Sequence, residues 1–382
     1  MPAGLPRLRL MDWQDHAQQL ATVVTHPGSR WYGVVAALPR HSFVPAWWER
    51  DGDGWIRRQG PLAEVYTNRS LVTRVGELHA DSAGIGDRPA GRSTSSSTLP
   101  SLLLTMYRHA QIADGLDVLD VGTGSGYGTA LLATRYGSGR VTAVDVDPYL
   151  TAAATERLAG IGLDPQVLPV DATDGLPGTY DRIVSTMSVP SIPPSWLRAL
   201  RPGGRIVTTI AGTWMILAVD RTRDGFAGRV ARDWAGFMAA RSGADYPPDD
   251  QAYHQRWSQE GDSVGVGRYP VLDIGDAWDL ATTLTLAIPG IRTDYRREPA
   301  GGHTALLTHP DGSWARATAV DTEPPTVHQG GRRPLWDLLD DARDEWMRVG
   351  MSPWLGAQAI VRADGSIRLI RGDWRATIPA AG

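Results

Sequence analysis

The residues with the most chemical potential lie in one short stretch, DVGTGSG, where Asp120 precedes Gly122, Thr123, Gly124, Ser125 and Gly126 at the end of an apolar run. Glycines here let the backbone turn sharply and approach a ligand closely, and a helix starting just after them offers unpaired amides. A second carboxylate, Asp145, followed by Val146, closes the next apolar run, and Asp171, followed by Ala172, closes the third. An acidic side chain at a strand end can accept from both hydroxyls of a ribose. Dinucleotide enzymes use similar geometry, but their loop reads G-x-G-x-x-G, and a carboxylate directly before it would repel a diphosphate. The same carboxylate suits an ammonium. S-adenosyl-L-methionine carries an ammonium and an adenosine without a phosphate, so it is the expected cofactor; Asp171 would reach the adenine amino group. The competing reading is that the aspartates merely cap helices.

These residues need a scaffold that brings successive strand ends together. DVLDVG, RVTAVDVD, PQVLPVDA, YDRIVSTM and RIVTTIAG are short apolar strands, the early ones separated by helical stretches through TALLATRYG and PYLTAAATERLAGIG. That alternation predicts an α/β, doubly wound parallel sheet covered on both faces. Upstream, helices over Asp12 to Val24 and Trp31 to Leu38 lead into a Trp-rich turn region, HSFVPAWWERDGDGW, and an extended piece, EVYTNRSLVTRV. The segment GIGDRPAGRSTSSSTLP is expected to be a loop leading into the helix PSLLLTMYRHAQI. Beyond about residue 213 the rhythm breaks, a hairpin-like AIVRADGSIRLI and a helix PLWDLLDDARDEWMRVG appear, and nine of the fifteen tryptophans gather. The expected organisation is a cap with a substrate loop over 1–97, a cofactor-binding core over 98–212, and an α+β extension over 213–382 that recognises a peptide.

At 382 residues the chain exceeds one ordinary hydrophobic core, consistent with more than one unit. It has no cysteine, which excludes disulfides, thiolate nucleophiles and zinc–thiolate sites. A net charge of -4, with arginine as the sole long-chain base, argues against a nucleic-acid partner. No apolar run is long enough to span a membrane and no secretory signal is visible, so a cytoplasmic location is expected. The histidines, His109, His303 and His309 among them, show no metal-ligand spacing. Arg57-Arg58, Arg296-Arg297 and Arg332-Arg333 could grip an acidic peptide, although solvated surface is their ordinary role.

The segments VLDVGTGSGYGTALLA, VTAVDVDP, DRIVS, IPPSWLRALRPGGRIV, ALPRHSFVP and STSSSTLPSLLLTM resemble the protein-L-isoaspartate O-methyltransferase family across roughly residues 30–212. In that family a Ser-Gln-Pro loop before a helix carries the hydroxyl that orients the substrate carboxylate. Here Thr98-Leu99-Pro100 stands in its place, which keeps the hydroxyl and removes an amide. The resemblance implies a catalytic role for Thr98, helped by Ser95, Ser96 and Ser97; the plain alternative is a helix N-cap. The segments GGHTALLTHPDGSWA and QGGRRPLWDLLDDARDEW are similar to a C-terminally extended actinobacterial branch associated with ribosomal peptide maturation (graspetides, lanthipeptides, lasso peptides). That likeness implies a modified precursor peptide as partner, whose aspartate side chain is methylated to an ester that closes to aspartimide or hydrolyses to isoaspartate. The alternatives are isoaspartyl protein repair, small-molecule O-methylation, and cofactor binding without catalysis.

Overall fold

The computed structural model describes residues 12–52, 54–242, 251–298, 301–348 and 354–381. The described residues up to Thr186, with Arg241 and Ser242, form one compact unit; 187–240 and those from 251 onward form a second.

The first unit opens with α1 (Trp13–Val24), whose start is fixed by a capping box between Asp12 and Asp15, then α2 (Tyr32–Ala37) and α3 (Arg40–Phe43). The Trp-rich region expected to be a turn is instead a hairpin, β1 (Trp47–Asp51) and β2 (Gly54–Arg58). Its tight turn lies at Gly52, with φ of 59°, and Trp48 and Trp55 bury against Val75 and Ala80. The extended piece divides: α4 (Leu62–Val65) takes its start, and only β3 (Leu71–Val75) is strand, followed by the short β4 (Leu78–His79).

The expected loop is corrected in the same way. Ser93–Ser97 is a strand, β5, antiparallel to β3 with Leu71 opposite Ser97 and Val72 opposite Ser96. Serine is a poor strand former by itself, but pairing with an apolar partner strand supplies the ladder hydrogen bonds that composition cannot reveal.

From α5 (Pro100–Ala110) the alternation is as expected: β6 (Val118–Val121), α6 (Tyr127–Tyr136), β7 (Val141–Asp145), α7 (Pro148–Ala159), β8 (Gln166–Pro169) and β9 (Tyr180–Val189). β6 is parallel to both β7 and β9, and β7 is parallel to β8. All four residues of β6 are buried, as a central parallel strand requires. The strands' carboxyl ends lie together, which is where open α/β sheets bind ligands.

The second unit contains α8 (Pro194–Ala199), β10 (Leu200–Ile210), β11 (Met215–Thr222), β12 (Gly225–Trp234), α9 (Gln251–Arg256), β13 (Ser263–Val266), α10 (Trp278–Ala287), β14 (Arg292–Arg297), β15 (Gly302–Thr308), β16 (Trp314–Val320), β17 (Thr326–Gly330), α11 (Leu335–Arg348), β18 (Gln358–Val361), β19 (Ile367–Arg371) and β20 (Trp374–Ile378). Its strands run antiparallel in the order β10-β11-β12-β18-β19-β20, and β13-β17-β16-β15-β14 form a separate sheet backed by α10 and α11. The expected late hairpin is β18–β19, and the expected helix is α11. Trp336 and Trp354 are fully buried, so these two build the core rather than a peptide surface. No described helix is long and apolar enough to cross a membrane.

Candidate active site

Asp120, the third residue of β6, is 1% exposed. Its Oδ2 accepts from Thr129 Oγ1 at 2.7 Å, and Thr129 Oγ1 in turn lies 2.6 Å from Thr123 Oγ1. Its Oδ1 is buried with no hydrogen-bond partner. Burial pushes the carboxyl up to about 6; the Thr129 hydrogen bond opposes this, and the neighbouring Asp145 charge adds to it. A buried acceptor left open is costly unless something donates to it.

The glycine turn is held against the neighbouring strand. Gly122 N and Thr123 N donate to Val144 O at 2.8 and 3.1 Å, Thr186 Oγ1 donates to Gly122 O at 2.9 Å, and Gly124 N donates to Asp145 Oδ2 at 2.9 Å. Gly124 and Gly126 have φ of 51° and 89°, where any other residue is strained. A Cβ on Gly126 would also sit 3.1 Å from Ala154 Cβ, a tight contact that adds to the backbone preference for glycine. Asp145 Oδ1 accepts from Asp147 N at 3.1 Å, so both carboxylate oxygens are oriented by backbone amides. Burial raises the Asp145 carboxyl, against the pull of those two amides.

The helix-cap reading fails for these carboxylates. The N-cap of α7 is Asp147, α6 starts at Gly126 without a side-chain cap, and Asp171 closes a turn by accepting from Thr173 N and Oγ1 at 2.9 and 2.6 Å. Val146 is half-buried behind Asp145, and Ala172 is buried beside Asp171.

The hydroxyl run divides where the pairing of β5 with β3 shifts register. Ser96, Ser97 and Thr98 line the same pocket as Asp120, Thr123 and Ser125. Ser95 Oγ accepts from Thr73 Oγ1 at 3.1 Å beside the glycine turn, 3.6 Å from where a Cβ on Gly124 would stand, and Ser95 does not line that pocket. Ser97 Oγ and Tyr127 Oη are buried without partners, as is Asp120 Oδ1. Neither Ser97 nor Thr98 caps α5: its N-cap position is Leu99, with no side-chain cap bond. The free space among these groups is about 20 Å³, room for one water-sized or ammonium-sized group. The unpartnered Asp120 Oδ1 in that space suits a donor such as an ammonium and would repel a diphosphate.

Three contributors escaped the sequence reading. Thr129 supports Asp120, Thr186 supports the glycine turn, and Tyr127 lies under the guanidinium of Arg40 at 5.5 Å. Thr129 could have been found from helix phase, since it falls one turn into the helix that the glycine loop starts. Among the described residues no cluster suits a metal ion. The arginine pairs are engaged within their own units: Arg57 Nε donates to Ala80 O at 2.6 Å, Arg296 stacks on Trp257 at 3.7 Å, and Arg333 meets Asp311 at 2.9 Å.

A parallel sheet carrying a glycine turn and acidic strand ends is the class I methyltransferase fold, and a β-rich C-terminal region is added to it in this chain. The family model described as protein-L-isoaspartate(D-aspartate) O-methyltransferase (PCMT) matches residues 80–232. Protein-L-isoaspartate O-methyltransferase 2 of Polaromonas sp. is 30% identical over 200 residues, covering 50% of this chain and 78% of that protein. The enzyme of the same family name from Methanoculleus marisnigri is 32% identical over 212 residues, covering 55% and 79%, and that from Methanopyrus kandleri is 36% identical over 144 residues, covering 36% and 63%. A solved protein-L-isoaspartate O-methyltransferase matches with a TM-score of 0.50 at 17% identity over 91% of this chain and 95% of that one, which shows a shared fold. The chain belongs to the protein-L-isoaspartate O-methyltransferase family. It is accordingly a carboxyl methyltransferase that uses S-adenosyl-L-methionine.

Proposed function

We propose that the chain methylates the free carboxylate of an isoaspartyl residue in a peptide or protein. The observation that carries this reading is the buried, unpartnered Asp120 Oδ1 facing the hydroxyl-lined start of α5 in one pocket. When bound, S-adenosyl-L-methionine supplies an electrophilic sulfonium methyl. Asp120 would accept from the ammonium, Asp145 from the ribose hydroxyls, and Asp171 with Ala172 would border the adenine. Thr98 would donate to the substrate carboxylate, with Ser96 and Ser97 completing the polar wall. A carboxylate is already ionised at neutral pH, so the site needs no general base; it needs to desolvate and align the nucleophile.

A transfer assay with a synthetic isoaspartyl hexapeptide and its aspartyl counterpart tests the substrate. Base-labile methyl ester on the isoaspartyl peptide is expected, and no ester on it, with cofactor bound, would refute the reading. Replacing Thr98 by valine removes one hydrogen bond to a charged oxygen, worth about 1.5–3 kcal/mol. Turnover is therefore expected to fall roughly 10- to 100-fold, with cofactor affinity unchanged.

Cofactor binding should also depend on pH. Because the Asp120 carboxyl is raised from 3.8 to about 6, the anion that pairs with an ammonium is present above pH 6 and is lost as pH falls through that value. Affinity measured by calorimetry should be flat above about pH 7 and weaken roughly tenfold per unit below the apparent pKa. A flat profile down to pH 5 would contradict this role for Asp120.

A second reading has specific support from Leu99, which stands where the family has glutamine. It is methylation of an aspartate side chain in a ribosomally made, modified peptide. The following backbone nitrogen would attack the ester carbonyl and expel methanol, leaving a five-membered imide. Curated relatives bearing the isoaspartate name favour the first reading. The β-rich C-terminal region does not favour the second, because a solved enzyme of that name matches over 91% of this chain. In the assay, ester on the aspartyl peptide followed by net loss of one water from the starting mass would select this alternative.

A further inference from the structure

We infer that Asn68 and Ser70 are positioning residues for the carboxylate-orienting loop, an assignment that rests on the role given to Thr98 above. A helix start leaves amides without partners, and they are ordinarily met by a serine, threonine, aspartate or asparagine at the N-cap. α5 has Leu99 there, and its side chain can accept nothing. The acceptors come from the segment after α4 instead. Leu99 N donates to Ser70 Oγ and Ser101 N to Asn68 Oδ1, each at 3.1 Å. The two amides flank Pro100, which has no N–H, so the backbone on both sides of the proline is pinned directly after Thr98. Capping from outside leaves the hydroxyls of Ser97 and Thr98 facing the pocket.

The segment supplying the acceptors is itself clamped. The buried guanidinium of Arg40 donates to the carbonyls of Val65, Thr67 and Arg69 at 2.8, 2.6 and 2.9 Å. Residues 67 and 69 give carbonyls to Arg40, while the alternate residues 68 and 70 give side chains to α5. Arg40 also lies over the ring of Tyr127, the first residue after the glycine turn. One guanidinium thus ties the cofactor turn and the substrate loop to a common frame, and a displacement of about 1 Å at such a site costs on the order of 100-fold in rate.

The test compares the double variant Asn68→Ala/Ser70→Ala with Asn68→Asp/Ser70→Thr, which keeps both acceptors. For the alanine pair, amide exchange at Leu99 and Ser101 should accelerate about tenfold, and kcat on the isoaspartyl hexapeptide should fall about tenfold or more. Affinity for S-adenosyl-L-homocysteine should stay within about twofold, since Asp120 and the glycine turn are untouched. The acceptor-keeping pair should recover both exchange and kcat. Unchanged exchange at the two amides, exchange that rises across the whole unit, or an acceptor-keeping pair as slow as the alanine pair would overturn the assignment. If wild-type protein turns over neither hexapeptide, the substrate reading fails separately. Exchange then decides: acceleration confined to 96–102 and reversed by the acceptor-keeping pair supports the positioning role.

Discussion

Asp120→Asn is expected to weaken S-adenosyl-L-methionine binding roughly 100-fold while leaving the unliganded protein about as stable as wild type. Removing one partner of a buried charged pair costs about 2–5 kcal/mol, and each 1.4 kcal/mol is a factor of ten. Without cofactor the balance is different. With its carboxyl raised from 3.8 to about 6, the ionised Asp120 costs the fold about 3 kcal/mol above neutrality. That cost is absent below pH 3.8 and is complete above about pH 6. Asparagine removes it but buries an amide with no partner on one side, worth about 1–3 kcal/mol in the other direction. The two effects nearly cancel, so calorimetry should show lost affinity and thermal melting should show a shift of only a few degrees. A large fall in melting temperature would make Asp120 a structural residue, and unchanged affinity would remove it from the cofactor site.

Arg40→Met should have the largest effect on stability. Methionine fills similar space but leaves the Val65 carbonyl buried without a donor and takes charge-assisted bonds from Thr67 and Arg69. It also deletes the contact with the Tyr127 ring. A stranded buried carbonyl costs about 1–3 kcal/mol and each lost charge-assisted bond about as much again. The offset is relief from desolvating the guanidinium, whose pKa burial lowers to about 10. A net loss of about 3 kcal/mol is expected, a large fraction of the roughly 5–15 kcal/mol that holds a domain together. Urea denaturation should show a lower midpoint at an unchanged slope. A loss under about 1 kcal/mol would mean that water replaces the guanidinium.

What could be read in advance was the part that depends on local pattern. The glycine turn, the acidic residues near the ends of β6 and β7 and the parallel alternation are written in consecutive residues, and the structure hydrogen-bonds Gly124 to Asp145 and Asp120 to Thr129 of the helix that follows the turn. What depends on pairing across distance was not legible. Ser93–Ser97 reads as loop until β3 is beside it, and Trp47 to Arg58 reads as a turn region until its two arms pair. Ser95 could not be separated from Ser96 and Ser97 by composition or by simple alternation, because the pairing of β5 with β3 shifts register at Ser95, which meets Thr73 while Ser96 and Ser97 line the pocket. The supports of Thr98 lie about thirty positions upstream, where no motif marks them.

Titration of the wild-type chain with S-adenosyl-L-homocysteine, alongside NADH, tests most directly whether the carboxylate before the glycine turn selects a cofactor bearing an ammonium. Saturable heat with the first and none with the second is the expected result, and the first signal should fade as pH drops below about 6. Saturable heat with NADH and none with S-adenosyl-L-homocysteine would contradict the account.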